Sequence, residues 1–267
     1  MKNKGAAVPF HHQYLLAQLI GQVVEGVSRE YRLFRDYNFS GLKGQTKISK
    51  SGLHFYSSRI TLVFSSPDET FIAQFVQCLF ERREVQIGNL LLEPELVERE
   101  DSIVLGEAVK YVCISPLVLI PNDTNEFYAK KFVSPDTDVF SDLLYESTMN
   151  RMEKTGDYTP EQIASFYKFQ IVPDKDYLSK IKEGEKKFAR IYPVYEDATE
   201  VPAKQEVRGY TLPFTLYAVP EVQDFILNCG LGAYTHNGFG MLDLANSELK
   251  RKTVPYFSPD SFMNARE

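Results

Sequence analysis

Ser66-Pro67-Asp68-Glu69-Thr70-Phe71-Ile72-Ala73-Gln74-Phe75-Val76-Gln77-Cys78-Leu79 decides how the first half of the chain folds. Ser66 is placed as an N-cap, Pro67 as the first helical residue, where a missing N–H costs nothing, and Glu69 as the side chain that reaches back to the cap. Phe71, Ile72, Phe75, Val76 and Leu79 follow at three- and four-residue spacing, which predicts a helix with one apolar face that fades in Glu81-Arg82-Arg83-Glu84. Upstream, Leu53 to Tyr56 and Arg59 to Phe64 read as two strands joined by a turn at Ser57-Ser58. Before them, Leu15, Leu19 and Val23, flanked by Leu16, Ile20, Val24 and Val27, predict a helix from Pro9 to about Ser28, with His12 in its first turn. Strand-like runs near Val85 to Leu92 and Val109 to Ile120 follow, and a short strand ahead of Pro9 completes a βαββαβ order.

The second half repeats that order without repeating the sequence. A helix is expected from Ser134-Pro135 to Thr155-Gly156, strands near Phe166 to Val172, Phe188 to Val194 and Val207 to Val219, a helix opened by Pro220 and closed at Gly230, and a last strand from Met241 to Leu244. The fold class expected is α+β, two ferredoxin-like (RRM-like) βαββαβ domains in tandem. The turn signal Pro121-Asn122-Asp123 sets their bounds at 1–121 and 122–267.

The 267 residues carry 30 lysines and arginines against 36 acidic residues, so a uniformly basic polyanion binder is excluded and any anion site must be local. Cys78, Cys113 and Cys229 stand far apart with no CxxC pair, which argues against a disulfide framework or a zinc site and suits a reducing cytoplasm. No apolar run approaches the ~20 residues that a membrane span needs.

Gly230-Leu231-Gly232-Ala233-Tyr234-Thr235-His236-Asn237-Gly238-Phe239-Gly240 lies between a helix and a strand. Glycine permits positive φ and close approach to amides, and successive amides can form a nest for phosphate. A Walker loop is excluded because no Gly-Lys-Ser/Thr closes the motif, and a dinucleotide fingerprint because helix precedes loop and strand follows. The other reading is a plain glycine-rich turn after a helix cap.

Gly-x-Gly, five residues, then Gly238-Phe239-Gly240-Met241-Leu242 resembles the signature loop of the CRISPR-associated endoribonucleases that cut precursor CRISPR RNA, members of the RAMP superfamily. Val8-Pro9-Phe10-His11-His12-Gln13-Tyr14-Leu15-Leu16 is similar to the opening of that family's first helix, and Ile114-Ser115-Pro116-Leu117 to its Ser-Pro segment. The resemblance implies binding of CRISPR repeat RNA and cleavage without metal or cofactor, in which a ribose 2′-hydroxyl attacks the adjacent phosphate. It further allows association with a CRISPR effector complex, as a monomer or a homodimer.

Such chemistry needs a base, an acid and a cation or amides for the phosphorane charge. His11 and His12 stand at a helix start, where the dipole favours neutral imidazole and a bound phosphate; the alternative is that one of them caps or packs the helix. His54 reads as a half-buried strand residue. His236, inside the glycine loop, either stacks on a base or is an exposed loop residue. Many members of the resembled family carry a catalytic histidine after the first helix, yet none occurs here between Tyr14 and Leu53. Within that region, the stretch from Arg29 to Lys50 holds Arg29, Arg32, Arg35, Lys43, Lys47 and Lys50 against Glu30 and Asp36, a local net charge of +4. Phosphate neutralisation is one reading, a solvated charged loop the other. The candidate catalytic set is therefore His11, His12, Arg35 and Lys43. The candidate RNA-binding set is Arg29, Arg32, Lys47 and Lys50 with Gly230, Gly232, Thr235, His236, Asn237, Gly238 and Gly240. Tyr37-Asn38-Phe39-Ser40 offers either base stacking or core packing, and Lys180, Lys182, Lys186, Lys187 and Arg190 either a grip on an RNA stem or an exposed loop. A non-catalytic RNA binder of the same family and a small-molecule enzyme with a nucleotide in the glycine loop are the competing functions.

Overall fold

The structure, a computed structural model, describes residues 1–50, 52–120, 130–181, 188–195, 204–245 and 252–256. Contacts divide the chain into two compact units. One comprises Met1–Arg35, Gly41–Ile103 and the described part of Arg251–Glu267; the other comprises Asp36–Ser40 and the described part of Val104–Lys250.

In the first unit, the opening strand forms in two pieces. Lys2–Asn3 pairs antiparallel with Leu90–Glu93, and Ala7–Val8 pairs antiparallel with Gly52–Phe55. Gly5 and Ala6, at φ 102° and 93°, separate the pieces. Thr46–Ser49 flanks Gly52–Phe55, and Val85–Ile87 flanks Leu90–Glu93. Helices α1 (Gln13–Val24) and α2 (Glu69–Glu81) complete the expected βαββαβ order.

Three local expectations are corrected here. The hairpin is Thr46–Ser49 with Gly52–Phe55, not a turn at Ser57-Ser58. Ser57-Ser58 instead interrupts one long extended run, because Lys2 bridges Arg59 in the same register in which Ala7 faces His54. The α2 N-cap is Asp68, whose carboxylate accepts from the Phe71 amide at 2.8 Å, while the Ser66 hydroxyl accepts from Asp68 N. A carboxylate beside the positive end of the helix dipole outcompetes a serine two residues earlier. For α1 the N-cap is His12, so Pro9 lies outside the helix rather than in its first turn.

The second unit carries a four-stranded antiparallel sheet in the order Phe169–Pro173, Phe214–Ala218, Ala108–Cys113, Leu242–Leu244. In chain order these are second, third, first and fourth, the arrangement of a ferredoxin-like βαββαβ sheet. Helix α3 (Asp138–Thr155) connects the first and second strands, with Phe140, Leu144 and Met152 buried and Gly156 left-handed at its C-cap. Two short helices, α4 (Pro160–Ser165) and α5 (Lys175–Ser179), flank the second strand. Helix α6 (Pro220–Cys229) connects the third and fourth strands. The run expected from Val207 to Val219 breaks around Pro213 into strands of different sheets: Lys204–Tyr210 lies between Ala189–Tyr195 and Leu117–Val118. A boundary at 121 therefore follows two strands, Ala108–Cys113 and Leu117–Val118, whose partners lie beyond residue 200. Pro121-Asn122-Asp123 itself lies outside the described residues.

Candidate functional site

The start of α1 is built by the strand before it. Ala7–Val8 pairs with the hairpin, and Gly52 sits so close to the Val8 carbonyl and to Pro9 that a Cβ there would overlap backbone. The hairpin tip, with exposed Lys50, is thus held beside the segment that leads to His11 and His12. His12 Nδ1 lies 3.1 Å from the Pro9 carbonyl, which can only accept, so the proton sits on Nδ1 and Nε2 bears the lone pair. Burial holds this ring below the usual histidine pKa, with a lesser push from His11. Its Nε2 is buried without a hydrogen-bond partner, whereas His11 is exposed. The two histidines are therefore not equivalent: His11 is exposed to solvent and His12 is a neutral ring facing protein.

Lys47 faces His54 across the hairpin, and both are exposed, so His54 is not the half-buried residue expected. Lys43 lies further along the same run, in a bridge to Thr61. Among the described residues none of Arg29, Arg32, Lys43, Lys47 and Lys50 forms an ion pair, and all five are exposed. Arg35 differs: it is half-buried, and its Nη1 donates to the carbonyls of Arg32 and Phe34. The Arg29–Tyr31 turn is docked on the start of α2, where the Tyr31 hydroxyl donates to Asp68 at 2.9 Å and Phe34 packs on Phe71. Burial and the Asp68 carboxylate push the Tyr31 phenol up to about 12. Tyr37 and Phe39 are buried, so of the two readings of this segment core packing holds and base stacking by these rings does not.

In the second unit, two of the three segments that carried the family resemblance are tied together. Ile114 N and Ser115 N donate to the Met241 carbonyl, Met241 N donates to Ser115 Oγ at 2.7 Å, and Gly240 N donates to the Pro116 carbonyl at 2.7 Å. Most amides of the glycine loop are engaged in the same way. Gly230 N donates to Ile226 O, Leu231 N to Gly240 O, Ala233 N to Val118 O and Gly238 N to Thr235 O. The nest expected from Gly230, Gly238 and Gly240 therefore has its N–H groups committed inside the fold. These glycines, with Gly232, have positive φ, and a Cβ would strike Asn38 at Gly230, the Val118 carbonyl at Gly232 and the Leu231 carbonyl at Gly240. Thr235 and Asn237 are buried and His236 is partly exposed.

The organising roles of two residues escaped the sequence reading. Arg151 on α3 donates through Nη2 to the Cys229 carbonyl at 2.6 Å and through Nη1 to Gly230 O at 2.8 Å and Gly232 O at 3.3 Å. Asn38 Nδ2 donates to the Phe239 carbonyl at 3.0 Å. The arginine fork holds the carbonyl end of α6, and the asparagine holds the far side of the loop. A lone arginine on a helix and an asparagine between aromatics give no signal in spacing. Of the second basic run, Lys180 and Arg190 are exposed, and Lys182, Lys186 and Lys187 lie outside the described residues.

The sequence model of the family described as CRISPR associated protein Cas6, C-terminal, matches residues 98–244, more than half of the chain. The chain belongs to the Cas6 family. A CRISPR-associated endoribonuclease Cas6 of Methanocaldococcus jannaschii is 22% identical over 262 residues, covering 92% of each chain. Among solved structures, the product of a Cas6-related gene from Pyrococcus furiosus superposes with a TM-score of 0.73 at 18% identity, covering 92% of this chain and 96% of that one. A RAMP protein described as binding different RNA substrates gives 0.69 at 20% identity, covering 92% and 98%. The α+β architecture of two ferredoxin-like units is thus that of Cas6 and RAMP proteins. Among the described residues no helix is long and apolar enough to cross a membrane.

Proposed function

We propose that this Cas6-family chain is a metal-independent endoribonuclease that cuts CRISPR repeat RNA within a precursor transcript. The observation that carries the proposal is exposed His11 at the start of α1, beside a hairpin whose Lys47 and Lys50 have no acidic partner among the described residues. The 2′-oxygen attacks phosphorus, the bond to the 5′-oxygen breaks, and a 2′,3′-cyclic phosphate remains. His11 moves a proton in this step, as base for the 2′-hydroxyl or acid for the 5′-oxygen. His12, neutral and bonded to Pro9, fixes the turn that presents it. Lys47, Lys50, Lys43, Arg29 and Arg32 neutralise RNA phosphates, and Arg35, committed to the carbonyls of Arg32 and Phe34, holds the local turn next to Arg32. In the second unit the glycine loop takes part through His236, with Gly230, Gly232, Thr235, Asn237, Gly238 and Gly240 setting its shape. The partner is repeat RNA, and the product can pass to a CRISPR effector complex.

Single-turnover cleavage of cognate repeat RNA in EDTA tests the proposal: cutting should persist, and an absolute need for divalent metal would sink it. His11→Ala should slow cleavage by about 10²-fold or more. A second reading, an RNA binder that does not cut, is favoured by the buried Nε2 of His12 and by the lack of histidine between Tyr14 and Leu53. Tight binding with RNA left intact after long incubation would select it.

A further inference from the structure

Among the described residues, the four-stranded sheet of the second unit has one face under its two longer helices and another that bears exposed side chains. Phe214, Leu216 and Ala218 alternate onto the covered side and are buried with Val109, Tyr111 and Ile171. Helices α3 and α6 pack on that side. Thr215 and Tyr217 alternate onto the other side, where Tyr217 is 47% exposed.

Tyr217 stands in the third strand of the βαββαβ order, one of the two central strands. Across the ladder it faces Gln170 on one side and Ala108 on the other, both exposed. Alanine is small, so the residue directly opposite on the first strand leaves that side of the ring open. A recess of about 340 Å³ opens here, lined by Glu107, Lys168, Phe169, Gln170, Tyr217 and Ala218. Glu107 and Lys168 are exposed and form no ion pair among the described residues, and no described residue hydrogen-bonds the Tyr217 hydroxyl. An exposed ring on a central strand, with an uncompensated ammonium and carboxylate at its rim, is the chemistry that receives a nucleotide. Aromatic residues at such sheet positions stack on unpaired bases. The facing position of the first strand is Ala108, so the platform accommodates one base rather than two.

We propose that this recess is a subsite for a single unpaired nucleotide of bound RNA. The base lies on the Tyr217 ring, Lys168 neutralises the adjoining phosphate, and Glu107 accepts a hydrogen bond from a base amino group. The subsite rests on the RNA-binding reading above and adds to it a contact in the second unit, apart from the glycine loop.

Fluorescence anisotropy with a fluorescein-labelled adenine-rich pentanucleotide RNA tests it on the full chain. Tyr217→Ala should weaken binding by about 5- to 150-fold, the range for loss of one stacked base, whereas Tyr217→Phe, which keeps the ring, should bind within about 3-fold of wild type. The position is exposed, so circular dichroism should show both variants folded. Wild-type affinity in Tyr217→Ala, or a loss in Tyr217→Phe equal to that in Tyr217→Ala, overturns the subsite while leaving the RNA-binding reading intact. Failure of the wild-type chain to bind either the pentanucleotide or repeat RNA removes that reading and the subsite with it.

Discussion

His12 enters the folded state as a neutral ring, because burial lowers its pKa and the Pro9 carbonyl fixes the proton on Nδ1. The unfolded chain binds a proton at this residue more readily than the folded one, so stability rises with pH across the interval between the two pKa values. As pH falls through the unfolded value of ~6.5 the folded state should lose stability, and the loss should level off below the folded value. Thermal melts at stepped pH check this: His12→Gln should flatten the dependence just below neutrality, and an unchanged slope would refute the assignment. Gly230 is a second residue whose identity the fold demands, since φ is 81° and a Cβ would overlap the Asn38 amide. Gly230→Ala should destabilise by about 1–3 kcal/mol, measured by denaturant unfolding. At this scale the sequence announced the glycines and histidines but not their surroundings. Positive φ is legible from glycine spacing, whereas the carbonyls of Pro116 and Val118 that accept from the loop amides come from a segment more than a hundred residues earlier.

Helices were legible through their apolar faces and much less through their ends. The α2 face of Phe71 and Phe75 is buried as its spacing requires, yet its cap moved from Ser66 to Asp68, because both residues are good caps and only the tertiary structure selects one. Helix α6 starts at Pro220 as read, while its carbonyl end depends on Arg151, 78 residues before the Cys229 carbonyl it binds. Burial lowers the Arg151 pKa and pushes the neighbouring Cys229 thiol up to about 12, so the guanidinium is a desolvated cation satisfied chiefly by carbonyls. Removing it leaves those carbonyls unmatched. Arg151→Ala should destabilise the chain by about 3 kcal/mol, and Arg151→Lys, which keeps the charge but not the fork, by less. Equal losses in chemical denaturation would show that the fork geometry is irrelevant.

For the whole molecule, the net charge of -6 and a local surplus of lysines and arginines that form no ion pair among the described residues make a prediction about salt. If Arg29, Arg32, Lys43, Lys47 and Lys50 all contact phosphates, the logarithm of RNA affinity should fall with the logarithm of salt concentration at a slope near ~-3.5, since each contact on a single strand contributes ~0.7. Lys47→Ala with Lys50→Ala should reduce the steepness by ~1.4, and a slope near zero in the wild type would exclude a phosphate-binding role for the patch. Two βαββαβ arrangements were readable because each strand and helix carries its own period. The long excursion between Pro173 and Phe214 was not, because it inserts a hairpin that pairs with Leu117–Val118 instead of extending the main sheet. The bond from Met241 N to Ser115 Oγ spans 126 residues. Leu242–Leu244, which completes the edge of Ala108–Cys113, leaves the ribosome more than a hundred residues after it. Until then the nascent polypeptide carries an unpaired strand edge, an invitation to association with other chains. Chaperone dependence during synthesis should therefore exceed what the stability of the finished protein suggests.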